Sequence, residues 1–147
     1  MQFFYLLIVA SLQAGVFGQL TYNEGEMRLT NTGMVDSGRL EVFRFGVWGT
    51  VCGYLEPTAA NVACRQFGYS RGEQLPEELY FVTACDDQPI WVKNFICEGY
   101  EQRLMDCGFA QDDDIQNCTH ADDVYVQCYH DDTVDTTSSY PDCKWQL

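Results

Sequence analysis

The chain has 147 residues, a net charge of −14 and eight cysteines. Its apolar share of 46% is too high for a disordered acidic segment, and its length suits one compact domain. With only 8 basic against 22 acidic side chains, nucleic-acid binding is disfavoured, because phosphate contacts depend on Lys and Arg. So many cysteines in a small chain indicate an oxidising compartment and a disulfide framework.

Residues 1–18 are typical of a secretory signal peptide. They carry no charged side chain, and their apolar block, residues 3–10, is shorter than the roughly 20 apolar residues that span a bilayer. The small residues Val16 and Gly18 predict cleavage before Gln19. A buried N-terminal strand is the alternative. We expect a secreted, soluble product that has no membrane span and keeps the whole negative charge.

Short strands are predicted through most of the chain that follows a polar leader, residues 19–26. Residues 39–42 alternate polar and apolar side chains after a turn, which predicts a half-buried strand. The other strand candidates are residues 47–52, 90–97 and 124–128.

Residues 57–67 predict one helix. The proline that opens this segment suits a first helical turn, and Gly68 is placed to end the helix. Ala60, Cys64 and Phe67 share one face. The domain is predicted to cover residues 27–129, and residues 130–147 form an acidic tail that carries one cysteine, Cys143.

Eight short stretches resemble the scavenger receptor cysteine-rich (SRCR) domain family in sequence, order and spacing. They are MRL (27–29), SGRLEV (37–42), VWGTVC (47–52), VACRQFGY (62–69), PIW (89–91), CEGYEQRLMDC (97–107), NCTH (117–120) and VQC (126–128). The resemblance implies an α+β fold in which a curved, mostly antiparallel β-sheet cradles one α-helix and is stapled by disulfides. It also implies a small secreted member of the six-cysteine subgroup.

The resemblance implies a pairing for six of the cysteines. In family order the pairs are Cys52–Cys118, Cys64–Cys128 and Cys97–Cys107. The extra pair of the eight-cysteine subgroup is absent, since Asp36 and Tyr69 stand near its positions. Cys85 and Cys143 are then additional cysteines. They bond either to each other, which staples the tail to the domain, or to another molecule through Cys143.

Catalytic and sulfur-ligated metal sites are poorly supported. The chain has no C-x-x-C pair and no serine in a nucleophile elbow, and His120 and His130 lack a helix-spaced partner. His120 matches a structural histidine of the family. We therefore expect no enzyme activity.

A calcium site is the one cofactor question that the acidic residues raise. Many SRCR domains bind a cation through two aspartates after the first cysteine and an acidic residue before the last strand. Here Gly53 and Tyr54 replace the pair, Lys93 replaces another acidic position, and Asp122 remains, so the family site looks dismantled. We therefore expect no cofactor and interpret the acidic residues as a solvated negative face, and weak Ca²⁺ binding at a private cluster is the alternative. The cluster is Asp112, Asp113, Asp114, Asp122 and Asp123.

Charge and exposed aromatic residues bear on the partners. Polyanions are disfavoured by net repulsion, whereas cationic proteins or a calcium-bearing mineral or matrix surface suit the charge. Aromatic residues in predicted loops are candidate anchors for a protein partner. They are Tyr54, Tyr80, Phe81 and Tyr100. Asn117 opens the only N-x-[ST] sequon, and a predicted bridge cysteine follows it, so glycosylation there competes with folding.

These observations predict a secreted, non-enzymatic binding module for extracellular protein or ligand recognition, with innate defence as one setting. The alternative from another class is an acidic structural component of an extracellular, calcified matrix or egg-coat layer.

Overall fold

A computed structural model describes residues 21–30, 32–76 and 83–131. Within these residues it has seven strands and one α-helix, α1. The bounds are β1 Met27–Thr30, β2 Ser37–Arg44, β3 Val47–Cys52, α1 Pro57–Gln66, β4 Arg71–Gln74, β5 Ile90–Ile96, β6 Gly108–Ala110 and β7 Tyr125–Tyr129. The predicted signal peptide and Cys143 lie outside the described residues.

The seven strands form one curled, mixed sheet around the helix, which confirms the predicted fold class. The strand order is β4-β7-β2-β3-β5-β6, with β1 added to β2. Every pairing is antiparallel except that of β3 with β5, which is parallel. The mostly antiparallel sheet therefore places residues far apart in sequence side by side.

The central strand β2 is buried on both faces, so the half-buried strand expected at residues 39–42 is wrong in this respect. Leu40 and Val42 belong to the hydrophobic core beside α1. Arg39 and Glu41 point to the opposite face, because side chains alternate along a strand, and they are buried as well. Chain segments beyond the sheet therefore cover that second face.

The helix α1 buries mostly small side chains, and a glycine just beyond its last residue ends it. The buried set is Ala59, Ala60, Val62, Ala63 and Cys64. Gly68 has a φ of 88° and donates its N–H to Arg65, while Tyr69 donates to Cys64. These two bonds are a Schellman motif, which satisfies the last carbonyls of the helix. No helix in the described residues is long and apolar enough to cross a membrane.

Three disulfides fix the ends of these elements. They join Cys52 to Cys118, Cys64 to Cys128 and Cys97 to Cys107, the same pairs that the resemblance implies. The second bond ties α1 to β7, and the third closes the short connection between β5 and β6. Cys85 is an exposed, free thiol in the described part of the chain, and its expected partner Cys143 is not described.

Gly72 sits where β4 passes α1, and we expect Gly72→Ala to destabilise the fold. A methyl group there would overlap Cys64 Sγ and lie 2.8 Å from the backbone oxygen of Ala60. Neither atom can move aside alone, because Cys64 is fixed by its disulfide and the oxygen belongs to the helix. Overpacking of this kind costs about 1–3 kcal/mol of unfolding free energy, measured by urea unfolding.

Gly108→Ala is the matched control for this substitution. The nearest atom to its added methyl group is the backbone oxygen of Ile96 at 3.7 Å, an ordinary contact. We expect a change within about 0.5 kcal/mol. An equal loss of stability in both variants would contradict the assigned packing of β4 on α1.

Candidate functional site

The loop between β3 and α1 presents an aromatic side chain beside an open pocket. Tyr54 is 61% exposed and lines a pocket of about 450 Å³. The other walls come from Gln74 at the end of β4, from Leu75 and Pro76 after it, and from residues 121–123. The site therefore combines an exposed ring with apolar walls and acidic groups.

Asp122 supplies an ionised carboxylate at this pocket. Its Oδ2 accepts hydrogen bonds from the backbone N–H and the hydroxyl of Thr119, both at 2.9 Å. These bonds, with the nearby positive charge of Lys93, hold the pKa of Asp122 below its ordinary value. Asp122 thus caps the turn His120–Asp122 and adds negative charge to the pocket.

A buried ion-pair network lies on the face of β2 away from the helix. Glu41, only 1% exposed, lies 2.7 Å from Arg39 Nη2 and 2.6 Å from Arg28 Nη2, and Thr30 donates its hydroxyl to the same carboxylate at 3.1 Å. Burial acts to raise the pKa of Glu41, but hydrogen bonds from Arg39, Gln88 and Arg28 outweigh it and lower the pKa. The carboxylate of Glu41 is therefore ionised, and both of its oxygens accept hydrogen bonds.

Asp123 and His120 continue this network beneath the pocket. Asp123 Oδ2 lies 3.0 Å from His120 Nδ1 and 3.8 Å from Arg39 Nε. Burial raises the pKa of Asp123, although its contacts with His120 and Arg39 oppose the shift. The other ring nitrogen of His120 lies 3.0 Å from the backbone oxygen of Gln88. Both nitrogens of the histidine are thus used in structural contacts.

The structure does not bring together the five carboxylates named as the alternative, weak calcium site. Asp112–Ile115 is an exposed 3₁₀ turn, whereas Asp122 caps its turn and Asp123 is buried. Among the described residues, the one group of three ligand atoms within 4.8 Å of one another is that of Cys97, Glu101 and Cys107. Two of its members form a disulfide, so it does not offer a metal site.

Two of the predicted aromatic anchors are exposed in the structure. Tyr54 and Tyr100 are 61% and 78% exposed, and Tyr80 and Phe81 lie outside the described residues. Sequence reasoning missed Phe45, which is exposed at the β2–β3 turn. Its position in a tight turn is the signal that could have indicated it.

The predicted sequon also lies at the surface. The side chain of Asn117 is exposed, whereas Cys118 is in a disulfide and Thr119 is used by the Asp122 cap. Glycosylation of Asn117 stays a prediction.

Comparison with known proteins identifies the family. The family model described as "Scavenger receptor cysteine-rich domain" matches residues 30–129. The chain belongs to the SRCR domain family.

Curated relatives of this SRCR chain are much longer than the matched region. It is 36% identical over 117 residues to a galectin-3-binding protein of Pongo abelii, covering 77% of this chain and 19% of that protein. It is 32% identical over 155 residues to the galectin-3-binding protein of Rattus norvegicus, covering 100% and 25%, and 30% identical over 109 residues to lysyl oxidase homolog 2B of Danio rerio, covering 69% and 13%. The chain thus spans a quarter or less of these relatives.

Solved SRCR domains share the fold. The third SRCR domain of murine neurotrypsin matches with a TM-score of 0.55 and 35% identity, covering 70% of this chain and 94% of that one. The dimeric form of the SRCR domain of mouse MARCO matches with a TM-score of 0.53 and 34% identity, covering 68% and 93%. Both similarities support the sheet and helix described above.

The residues at the calcium positions of the SRCR family do not fit this ion. Of the positions occupied by Gly53, Tyr54, Lys93 and Asp122, only the last carries a carboxylate. Calcium takes six to eight oxygen ligands, several of them from carboxylates, and the ammonium group of Lys93 repels a cation.

Proposed function

We propose that this chain is a secreted, non-enzymatic SRCR module of the six-cysteine type, with two additional cysteines, and that it recognises an extracellular protein. The observation that carries the proposal is the exposed Tyr54 ring beside the pocket at residues 121–123. Aromatic residues held on a fixed scaffold are the usual anchors of protein interfaces.

The charge of the site favours a partner with basic side chains. Asp122 is ionised beside Tyr54, and the chain as a whole carries a charge of −14. Complementary charge speeds association and excludes like-charged molecules. Basic extracellular proteins therefore suit this surface, and polyanions do not.

Screening the secreted protein against an array of extracellular ectodomains tests the proposal. Tyr54→Ala is expected to weaken capture of the partner by about 2 kcal/mol, roughly thirtyfold in affinity. Phe45→Ala is the matched control, because Phe45 is comparably exposed, at 69% against 61% for Tyr54, but lies in the β2–β3 turn. Added salt is expected to slow association with the basic partner.

Two outcomes would overturn this function. One is capture that Tyr54→Ala and Phe45→Ala weaken equally, which would move the interface elsewhere. The other is recovery of the native protein from a demineralised, insoluble matrix with no captured ectodomain, which would favour the structural alternative.

A further inference from the structure

The loop that presents Tyr54 is held by hydrogen bonds from three separate segments. The backbone N–H of Gly53 donates to the backbone oxygen of Asp122 at 2.8 Å. The next N–H, that of Tyr54, donates to Asn94 Oδ1 on β5 at 2.9 Å. The turn before β7 and strand β5 therefore each fix one residue of the loop.

The side-chain amide of Gln74 on β4 holds the same loop from a third side. Its Oε1 accepts the N–H of Leu55 at 2.7 Å, and its Nε2 donates to the backbone oxygen of Gly53 at 3.3 Å. The backbone N–H groups of Gly53, Tyr54 and Leu55 thus all donate hydrogen bonds to acceptors within the protein. A loop held in this way is preorganised, so ordering it costs little on binding.

Gly53 and Asn94 are matched in shape. Gly53 has a φ of 88°, which disfavours any residue with a Cβ, and a Cβ built on it would overlap Asn94 Oδ1. Asn94 has a φ of 51°, a conformation that asparagine tolerates better than most residues. A side chain at position 53 would therefore displace the Asn94 amide from the position in which it accepts the Tyr54 N–H.

Lys93 places a positively charged side chain beside the same loop, next to Gly53. It precedes Asn94 on β5, and its positive charge acts on the carboxylate of Asp122. A covalently attached cation thus lies near the one acidic residue that remains of the family site. The loop has hydrogen bonds and a balancing charge without any added ion.

We infer that Asn94 and Gln74 are positioning residues that hold the 53–55 loop in its recognition conformation independently of calcium. The inference rests on the proposed function in taking Tyr54 as the side chain presented to a partner. On this inference, the side-chain amides of Asn94 and Gln74, with the charge of Lys93, order the loop without a bound cation.

Amide hydrogen exchange at Tyr54, followed by NMR on the whole secreted chain, tests this inference. Protection of that amide is expected to be the same in excess EDTA and in millimolar calcium chloride. Asn94→Gly removes the acceptor while keeping the positive φ free of strain, and it should speed exchange at Tyr54 about tenfold. Asn94→Asp keeps an oxygen acceptor and should retain the protection.

Two results would overturn the inference. Calcium that raises the protection of the Tyr54 amide would show that the ion orders the loop. Unchanged exchange in Asn94→Gly would show that Asn94 does not. Both readouts are made without a partner, so they stay distinct from a failure of Tyr54→Ala to weaken capture, which would count against the proposed function alone.

Discussion

Reduction of the three described disulfides is expected to unfold the domain. Two of them close loops with sequence separations of 66 and 64 residues, and the third closes one of 10. The loop-entropy account assigns about 4 kcal/mol to each long loop and about 3 kcal/mol to the short one. Their sum, roughly 11 kcal/mol, is comparable with the whole stability of a typical domain, about 5–15 kcal/mol.

Near-UV circular dichroism with and without a reducing agent measures this effect. The aromatic signal is expected to collapse on reduction, and a reduced protein with an unchanged spectrum would contradict the prediction. Paired serine variants give the graded test. Replacing Cys97 and Cys107 should cost about 1–2 kcal/mol less than replacing Cys64 and Cys128, because the loop is shorter.

The strongly patterned parts of the fold could be predicted from sequence. The helix starts at Pro57 as expected and ends at Gln66, one residue short of the predicted bound. Strands β2, β3, β5 and β7 coincide with the predicted apolar segments within a few residues. Local composition was informative there because propensity and burial agree along these segments.

Two strands carry no such local signal. Strand β4 is Arg71–Gln74, with the sequence RGEQ and a half-exposed pattern, and it exists because it pairs with β7. Strand β6 has three residues paired with β5. Pairing across such sequence distances depends on tertiary context, which a local pattern does not contain.

The contacts that hold the candidate site could not be predicted from the sequence for the same reason. Asn94 bonds a residue 40 positions away, and Gln74 bonds one 19 positions away. Tyr54 could be named as an exposed aromatic residue from its loop position alone. Its supporting amides could not, because they lie in segments that only the folded sheet brings together.

Glu41→Gln is expected to cost about 3–5 kcal/mol of unfolding free energy. The carboxylate of Glu41 balances two guanidinium groups, and Arg39 is only 3% exposed. A neutral amide leaves Arg39 with the more distant Asp123, at 3.8 Å, as its other acidic neighbour in the network. A buried charge with less compensation is strongly destabilising. Urea unfolding at neutral pH measures the loss.

Asp123→Asn is the matched control within the same network. Burial raises the pKa of Asp123, so its charged form is held at a cost, whereas the pKa of Glu41 is lowered. The side-chain amide of an asparagine can still form a hydrogen bond with His120 Nδ1. We expect a loss of about 1 kcal/mol, and equal losses in the two variants would contradict the assigned roles.

The two carboxylates also predict opposite pH dependences. The lowered pKa of Glu41 means that its contribution is present above the ordinary value of 4.5 and is lost as the pH falls through the lower folded-state pKa. The raised pKa of Asp123 means that its contribution is present below 3.8 and is lost as the pH rises through the higher folded-state pKa. Between neutral pH and the acid transition, Glu41→Gln should therefore flatten the decline in stability, and Asp123→Asn should steepen it. Urea midpoints of the two variants, measured across this pH range, test the prediction. Parallel pH profiles for both variants would contradict it, because they would show that neither carboxylate makes the stability depend on pH as its contacts require.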